Sequence, residues 1–234
     1  MGDWFQAFGA ALGLIFSFDP ALMEIVALSL RVSLTALGLA SLVALPVGGA
    51  IGILRFRGRR ALVILLNALM GLPPVVVGLM VYLLLSRSGP LGRIELLFTP
   101  SAMILAQSLL IFPIVAALTR QVCEDVWEEY AEQLRSLGVQ PYRSVLTVLW
   151  EARFSLFTAV LAGFGRAIGE VGAAILVGGN IAHTTRVMTT AIVLETNRGE
   201  LALAVGLGVL LLLLSLIVNG AAQLAQELAR EARR

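Results

Sequence analysis

Apolar runs long enough to cross a bilayer alternate with short polar stretches along this chain, and one polar interlude, residues 120–153, is far longer than the rest. A membrane-crossing helix needs about 20 predominantly apolar residues. The pattern predicts five such spans, at residues 25–54, 61–85, 101–118, 154–177 and 201–225. Residues 1–20 read differently. Trp4, Phe5, Phe8, Leu12, Ile15 and Phe16 recur at a spacing that predicts a helix lying in the outer membrane interface, whereas a sixth span here would move the N-terminus to the other side. That segment also lacks a basic run and carries Asp3, so no cleavable signal is expected. Residues 21–234 are expected to form a single membrane domain.

Helix-disturbing residues fall inside the spans: Pro46 with Gly48 and Gly49, Gly71 with Pro73 and Pro74, and Pro113. They predict either packing kinks or flexible points of a gated pathway. Gly48 and Gly52, and Gly165 and Gly169, are four apart, a spacing that lets helix backbones approach closely. Within the interlude, residues 124–137 are rich in helix formers, Gly138 is placed to end that helix, and Pro141 is placed to begin another. Two helices at a sharp bend are predicted. Leu134, Leu137, Val145, Leu146 and Leu149 are expected to face the membrane domain, and Glu132, Gln133, Arg135, Gln140 and Arg143 the cytosol. The result is either an ordinary amphipathic loop or a surface for a soluble partner.

Composition excludes a soluble monomer, because 59% of residues are hydrophobic, 14% are charged and the mean hydropathy is +0.92. The net charge is only +2, and all 17 basic residues are arginines without a basic stripe, so a nucleic-acid partner is not expected. Their placement gives an orientation. Arg55, Arg57, Arg59 and Arg60 put the first loop in the cytoplasm, and the interlude and the tail with Arg230, Arg233 and Arg234 follow it there. Loops 86–100 and 178–200 then lie outside, with the N-terminus outside and the C-terminus inside. Cys123 is the single cysteine, which excludes an intrachain disulfide. With no lysine, the chain cannot carry the lysine-bearing glycine-rich loop that cradles ATP phosphates, so ATP must be handled by another polypeptide.

Polar residues within the spans are candidates for contact with a solute. Arg166 and Glu170 are four apart and are expected on one helix face, either as a structural pair or as a polar gate. Arg31 lies near the outer end of the first span, placed either to reach the headgroups or to line a pathway. The loop with Gly178, Gly179, Asn180, His183, Arg186 and Arg198 is either solvated or a gate and partner surface. His183 is the sole histidine and no metal site is expected. No nucleophile with a paired base points to catalysis.

The interlude resembles the coupling motif of ABC importer permeases, Glu-Ala-Ala, three residues, Gly, nine residues, Ile, one residue, Leu-Pro. The matching positions are Glu132, Gln133, Leu134, Gly138, Val148, Trp150 and Glu151; both alanines and the final proline differ. Longer runs are more specific: Glu151-Ala-Arg-Phe-Ser-Leu, Gly163-Phe-Gly-Arg-Ala-Ile-Gly-Glu-Val-Gly-Ala, Gly178-Gly-Asn-Ile, Thr185-Arg-Val-Met-Thr-Thr-Ala-Ile and Leu194-Glu-Thr, with Leu28-Ser-Leu-Arg-Val-Ser-Leu-Thr-Ala near the start. From about residue 20 onward they resemble permeases of tungstate-uptake ABC importers, relatives of molybdate permeases. The resemblance implies an all-α integral membrane protein of the type I importer fold. It implies a homodimer in a bacterial or archaeal cytoplasmic membrane, two copies of a separate ATPase holding ATP and Mg, and an external oxyanion-binding protein. Glu132, Gln133, Gly138, Gln140, Pro141, Tyr142 and Arg143 would couple to the ATPase. The implied cargo is tungstate, with molybdate or sulfate as alternatives. Outside this class stand an ATPase-independent secondary transporter and a non-transport membrane scaffold.

Overall fold

The computed structural model describes residues 2–17, 19–136 and 138–231. Leu137, Arg233 and Arg234 lie outside the described residues, as do the side chains of Trp4, Phe5, Arg135 and Arg230. The described residues form helices α1 (Gly2–Phe16), α2 (Pro20–Ile53), α3 (Arg59–Met70), α4 (Pro74–Leu85), α5 (Pro100–Ser136), α6 (Pro141–Glu151), α7 (Arg153–Ile168), α8 (Gly172–Gly178), α9 (Met188–Arg198) and α10 (Leu201–Glu231), with one short 3-10 turn at Gly92–Ile94. Three helices, α2, α5 and α10, are long and apolar enough to cross a membrane, and the count reaches five if the bent pairs α3 with α4 and α6 with α7 each make one span.

Local chemistry explains where these helices start and stop. Asp19 Oδ1 accepts the Ala21 and Leu22 N–H groups, both at 3.0 Å, and Pro20 opens α2 without a donor to satisfy. The break between α3 and α4 falls at the expected Gly71 and Pro73, and Pro73 O takes the N–H of Val76 at 3.0 Å. At Pro46 and Pro113 there is no break: α2 and α5 run past both. Ala44 beside Pro46, and Ile111, Val115 and Ala116 beside Pro113, are buried, so packing carries each helix through its missing hydrogen bond. The helix expected over residues 124–137 is likewise no separate element but the polar end of the 37-residue α5.

The chain divides into two compact units. The first comprises Met1–Thr35, Pro73–Gln107 and Ala167–Ile217, and the second Ala36–Leu72, Ser108–Arg166 and Val218–Arg234. In the first, Leu22, Val32, Val81, Met103, Val177, Met188 and Leu207 are buried, and Gly78 of α4 lies so near α8 that a Cβ there would sit 2.7 Å from Ala173 Cα. In α1, Ala11 is buried while Phe8, Leu12 and Phe16 are exposed. The core of the second unit is Ile53, Cys123, Trp127, Ala131, Val148, Ala152 and Leu156, with Leu45, Leu134, Val145 and Leu149 packed against it.

The close approach expected from Gly48 and Gly52 is present between α2 and α5. A Cβ on Gly48 would lie 2.5 Å from Ala116 O, and one on Gly52 would lie 2.7 Å from Arg120 O. Gly165 differs from expectation, since a Cβ there meets nothing within 4 Å; Gly163 is the contact glycine of α7, against Ile111 and Val115. The helix phase places 163, two residues earlier, on the packed side. Alanine at Gly48 or Gly52 forces backbone apart and is expected to cost about 1–3 kcal/mol. Thermal unfolding in detergent checks this: Gly48→Ala and Gly52→Ala lower the midpoint, while Gly208→Ala, placed in open space, leaves it unchanged.

Candidate coupling and pathway sites

Three groups of residues stand out, two in the second unit and one in the first. The first group is the elbow joining α5 to α6. Gly138 has φ +73, a left-handed conformation that glycine adopts without a Cβ penalty, and the Val139 N–H donates back to Leu134 O at 2.9 Å. This six-to-one bond ends α5 as the sequence predicts, and Pro141 opens α6 from its first turn. On α6, Ser144, Val145, Val148 and Leu149 face the core of the second unit. The opposite face holds Tyr142, Leu146 and Trp150, which are 56%, 75% and 71% exposed. The Arg143 guanidinium lies 5.6 Å from the Tyr142 ring centroid, and that of Arg153 lies 5.0 Å from the Trp150 ring.

Leu146 therefore corrects the expectation that it faces the membrane domain. Its register puts it one turn from Tyr142 and Trp150 on the outer face, so α6 exposes an aromatic and aliphatic stripe. Glu132, Gln133, Gln140, Pro141 and Arg143 are exposed as expected. Between α5 and α6 runs a groove of about 270 Å³ lined by Val126, Tyr130, Gln133, Leu134, Thr147, Val148 and Glu151. At Ala152 the chain turns by 76° from α6 into α7.

The second group is a charge clamp of which the sequence signals only Arg120 and Glu124, four apart on α5. Arg59, at the start of α3, donates from Nε to Ile51 O at 2.7 Å and from Nη2 to Gly52 O at 3.3 Å, capping the end of α2. The same Nη2 reaches Glu124 Oε1 at 2.6 Å, and Arg120 holds the other carboxylate oxygen at 2.6 Å. One carboxylate on α5 thus ties together the end of α2 and the start of α3. All three side chains are largely buried, which strengthens the pairing relative to a surface ion pair.

The third group occupies the first unit, around the segment between α7 and α8. Arg166 and Glu170 do not share a helix face, because α7 ends at Ile168 and Glu170 lies in the non-helical link before α8. Gly169 and Gly172 flank the link, and the Glu170 carboxylate accepts the Ala173 N–H at 3.1 Å, which rewards the break. Thr189 donates to Glu170 O at 2.8 Å, and Ser29 of α2 accepts the Met188 N–H at 2.7 Å, so the start of α9 is bound to both. Arg31, two positions from Ser29, is exposed.

Residues 178–200 are more than a solvated loop. They contain α9, whose Met188, Thr189, Thr190, Ala191 and Glu195 are buried. Thr185 Oγ1 donates to Gly178 O at 2.6 Å, Asn180 Oδ1 lies 2.9 Å from Thr190 Oγ1, and Gly179, Asn180 and His183 all have positive φ. Glu195 is approached by Arg186 at 3.8 Å and Arg198 at 3.4 Å. His183 Nδ1 lies 2.8 Å from Glu24 Oε2. Among the described residues, no cluster of three or more His, Cys, Asp or Glu is placed to hold a metal.

Long apolar helices, two bent helix pairs and a helical elbow with an exposed apolar face define a multi-pass membrane protein. Residues 44–230 match the family described as binding-protein-dependent transport system inner membrane component, and the chain belongs to it. It is 41% identical over 222 residues to the tungstate uptake system permease protein TupB of Peptoclostridium acidaminophilum, covering 95% of this chain and 97% of that one. A second TupB, of Campylobacter jejuni, is 38% identical over 215 residues, 92% and 90% of the two chains. A protein of Haloferax volcanii described as a probable anion ABC transporter permease is 42% identical over 203 residues, 85% and 88% of the chains. The resemblance seen in the sequence is thus borne out. The protein is a non-catalytic, multi-pass permease subunit of the inner membrane, in a system whose ATP is used by a partner ATPase.

The clamp yields a direct test. Glu124→Gln removes the charge that both arginines share, and a charge-assisted hydrogen bond of this kind contributes on the order of 2 kcal/mol. The thermal midpoint is expected to fall by roughly 5 °C, whereas Glu128→Gln, at an exposed position of the same helix, leaves it in place.

Proposed function

We propose that this permease imports tungstate by alternating access, as a homodimer served by two ATPase subunits on the cytoplasmic side and an oxyanion-binding protein outside. The observation that carries the coupling half of this reading is the exposed stripe of Tyr142, Leu146 and Trp150 on a helix whose other face is locked into the core. Large apolar side chains in water favour a protein partner, and aromatic anchors with neighbouring arginines are the composition of binding hot spots. Glu132, Gln133, Gly138, Gln140, Pro141, Tyr142 and Arg143 are assigned to the same coupling surface, and the groove beside Gln133 and Glu151 offers room for a side chain of the ATPase. The arginines at 55, 57, 59 and 60 support placing this face in the cytoplasm, with the C-terminus there and the N-terminus outside. In the same reading, residues 1–20 lie at the membrane interface and residues 21–234 make the transmembrane domain.

Tungstate as the cargo is supported by the two tungstate uptake permeases among the relatives, while the Haloferax volcanii relative supports the wider class of anions. Molybdate or sulfate is the alternative within the same machinery. For the pathway, Arg31 is exposed on an apolar helix whose Ser29, Val32 and Ser33 are buried. An arginine facing away from its own chain in a membrane suits a water-filled passage shared with a second copy. Arg166, Glu170, Gly178, Gly179 and Asn180 are assigned to the gate that this passage must open and close. Weak, transient attraction of the oxyanion fits conduction better than tight binding.

Two experiments test these assignments. In Leu146→Asp with Trp150→Ala, co-purification of the ATPase is expected to fall at least tenfold while the permease remains folded; retention at the wild-type ratio removes α6 from the docking surface. The assembled transporter, reconstituted with binding protein loaded in turn with tungstate, molybdate or sulfate, is expected to show ATPase stimulation chiefly with tungstate. Equal stimulation by molybdate would widen the cargo, and no stimulation by any of the three would refute oxyanion import.

A further inference from the structure

The first unit contains a small polar cavity beside Glu170. Ser29 and Ser33 of α2, Gln107 of α5, Glu170 and Thr189 line it. The space open to the centre of a water-sized sphere is about 10 Å³, which is close to the least that holds one water molecule.

Gln107 gives the reason to expect a guest. It is 4% exposed, and one N–H of its amide makes a long bond to Ala167 O at 3.5 Å, yet its Oε1 has no partner. A buried amide oxygen left unsatisfied is costly. The neighbouring donors are already committed: the Ser29 hydroxyl to Ile25 O at 2.7 Å and the Thr189 hydroxyl to Glu170 O at 2.8 Å. What remains around the cavity is chiefly oxygen acceptors, with the Ser33 hydroxyl and the second amide N–H of Gln107 beside them. A tetrahedral oxyanion is excluded by size, since it is far larger than the space. The guest must be the size of one oxygen atom and must donate hydrogen bonds.

We propose that this cavity holds a single ordered water, which donates to Gln107 Oε1 and to a second oxygen of the lining and accepts a hydrogen bond from the Ser33 hydroxyl. The water is then the link by which Gln107 of α5 is held to α2 and to the segment that carries Glu170. It makes the packing of α5 against the start of α9 depend on a molecule rather than on a side chain.

Substitution of the full-length permease tests it. Gln107→Leu removes the orphaned oxygen together with the Nε2 bond to Ala167 O, so in a dry cavity it would lower the thermal midpoint only by what that long bond contributes, and independently of Ser33. With a water present, the same change strands that water and lowers the midpoint by a few degrees. Ser33→Ala, a smaller change that keeps the fold, lowers it too, and the double variant loses less than the sum because both act on one molecule. The midpoints are the same in sodium chloride and in choline chloride. An unchanged or raised midpoint for Gln107→Leu, strict additivity with Ser33→Ala, or stabilisation specific to sodium would each overturn the proposal, the last in favour of a bound cation.

Discussion

Hydrocarbon offers no hydrogen bonds, so every place where a helix stops inside this protein must bring its own partners. The structure meets this demand differently at each break. Asp19 takes two N–H groups at the head of α2, and Arg59 covers two carbonyls at its tail. Pro73 and Pro74 open α4 from residues that have no N–H to satisfy. Between α7 and α8 a carboxylate is used, Glu170, whose own backbone oxygen is in turn held by Thr189.

The residues that satisfy the breaks are also the ones that join distant parts of the chain. Ser29 reaches Met188 across 159 positions, and Arg59 reaches Glu124 across 65. A polar group buried to cap one helix gains most when it also contacts another, because the cost of its desolvation is then met by two bonds instead of one. This accounts for the way polar side chains gather at a few points in a chain otherwise so apolar. The outer face of α6 shows the opposite arrangement from the interior breaks: Tyr142, Leu146 and Trp150 stand exposed, and the two aromatic rings are covered only by the neighbouring Arg143 and Arg153.

The long apolar helices α2, α5 and α10 and the turn at Gly138 and Pro141 were legible because hydropathy and backbone chemistry are local, whereas the span expected over 154–177 is broken between α7 and α8. Leu146 was misread because pattern alone cannot separate a leucine facing a core from one facing a partner; α6 is hydrophobic on two sides, and only the fold shows which side is filled. Arg166 and Glu170 seemed to share a face because a four-residue interval was read as continuous helix, whereas Gly169 and the Glu170 carboxylate favour a break. The helix α9 escaped notice because its buried side includes Thr189, Thr190 and Glu195, which a hydropathy average scores as solvent-facing. The Arg59, Glu124 and Arg120 cluster depends on a contact between remote segments, and no spacing encodes that. Ser29 and Ser33, four apart in an apolar span, were the one visible hint of the polar network in the first unit.

Cys123 lies fully buried in the core of the second unit, and the chain has no lysine. To thiol- and amine-directed reagents the folded side chains therefore present an almost silent background. A cysteine introduced at an exposed position such as Trp150 would be labelled alone, without first stripping the protein of its natural residues. Spectroscopic tags placed this way could follow the outer face of α6 during turnover in the native sequence context.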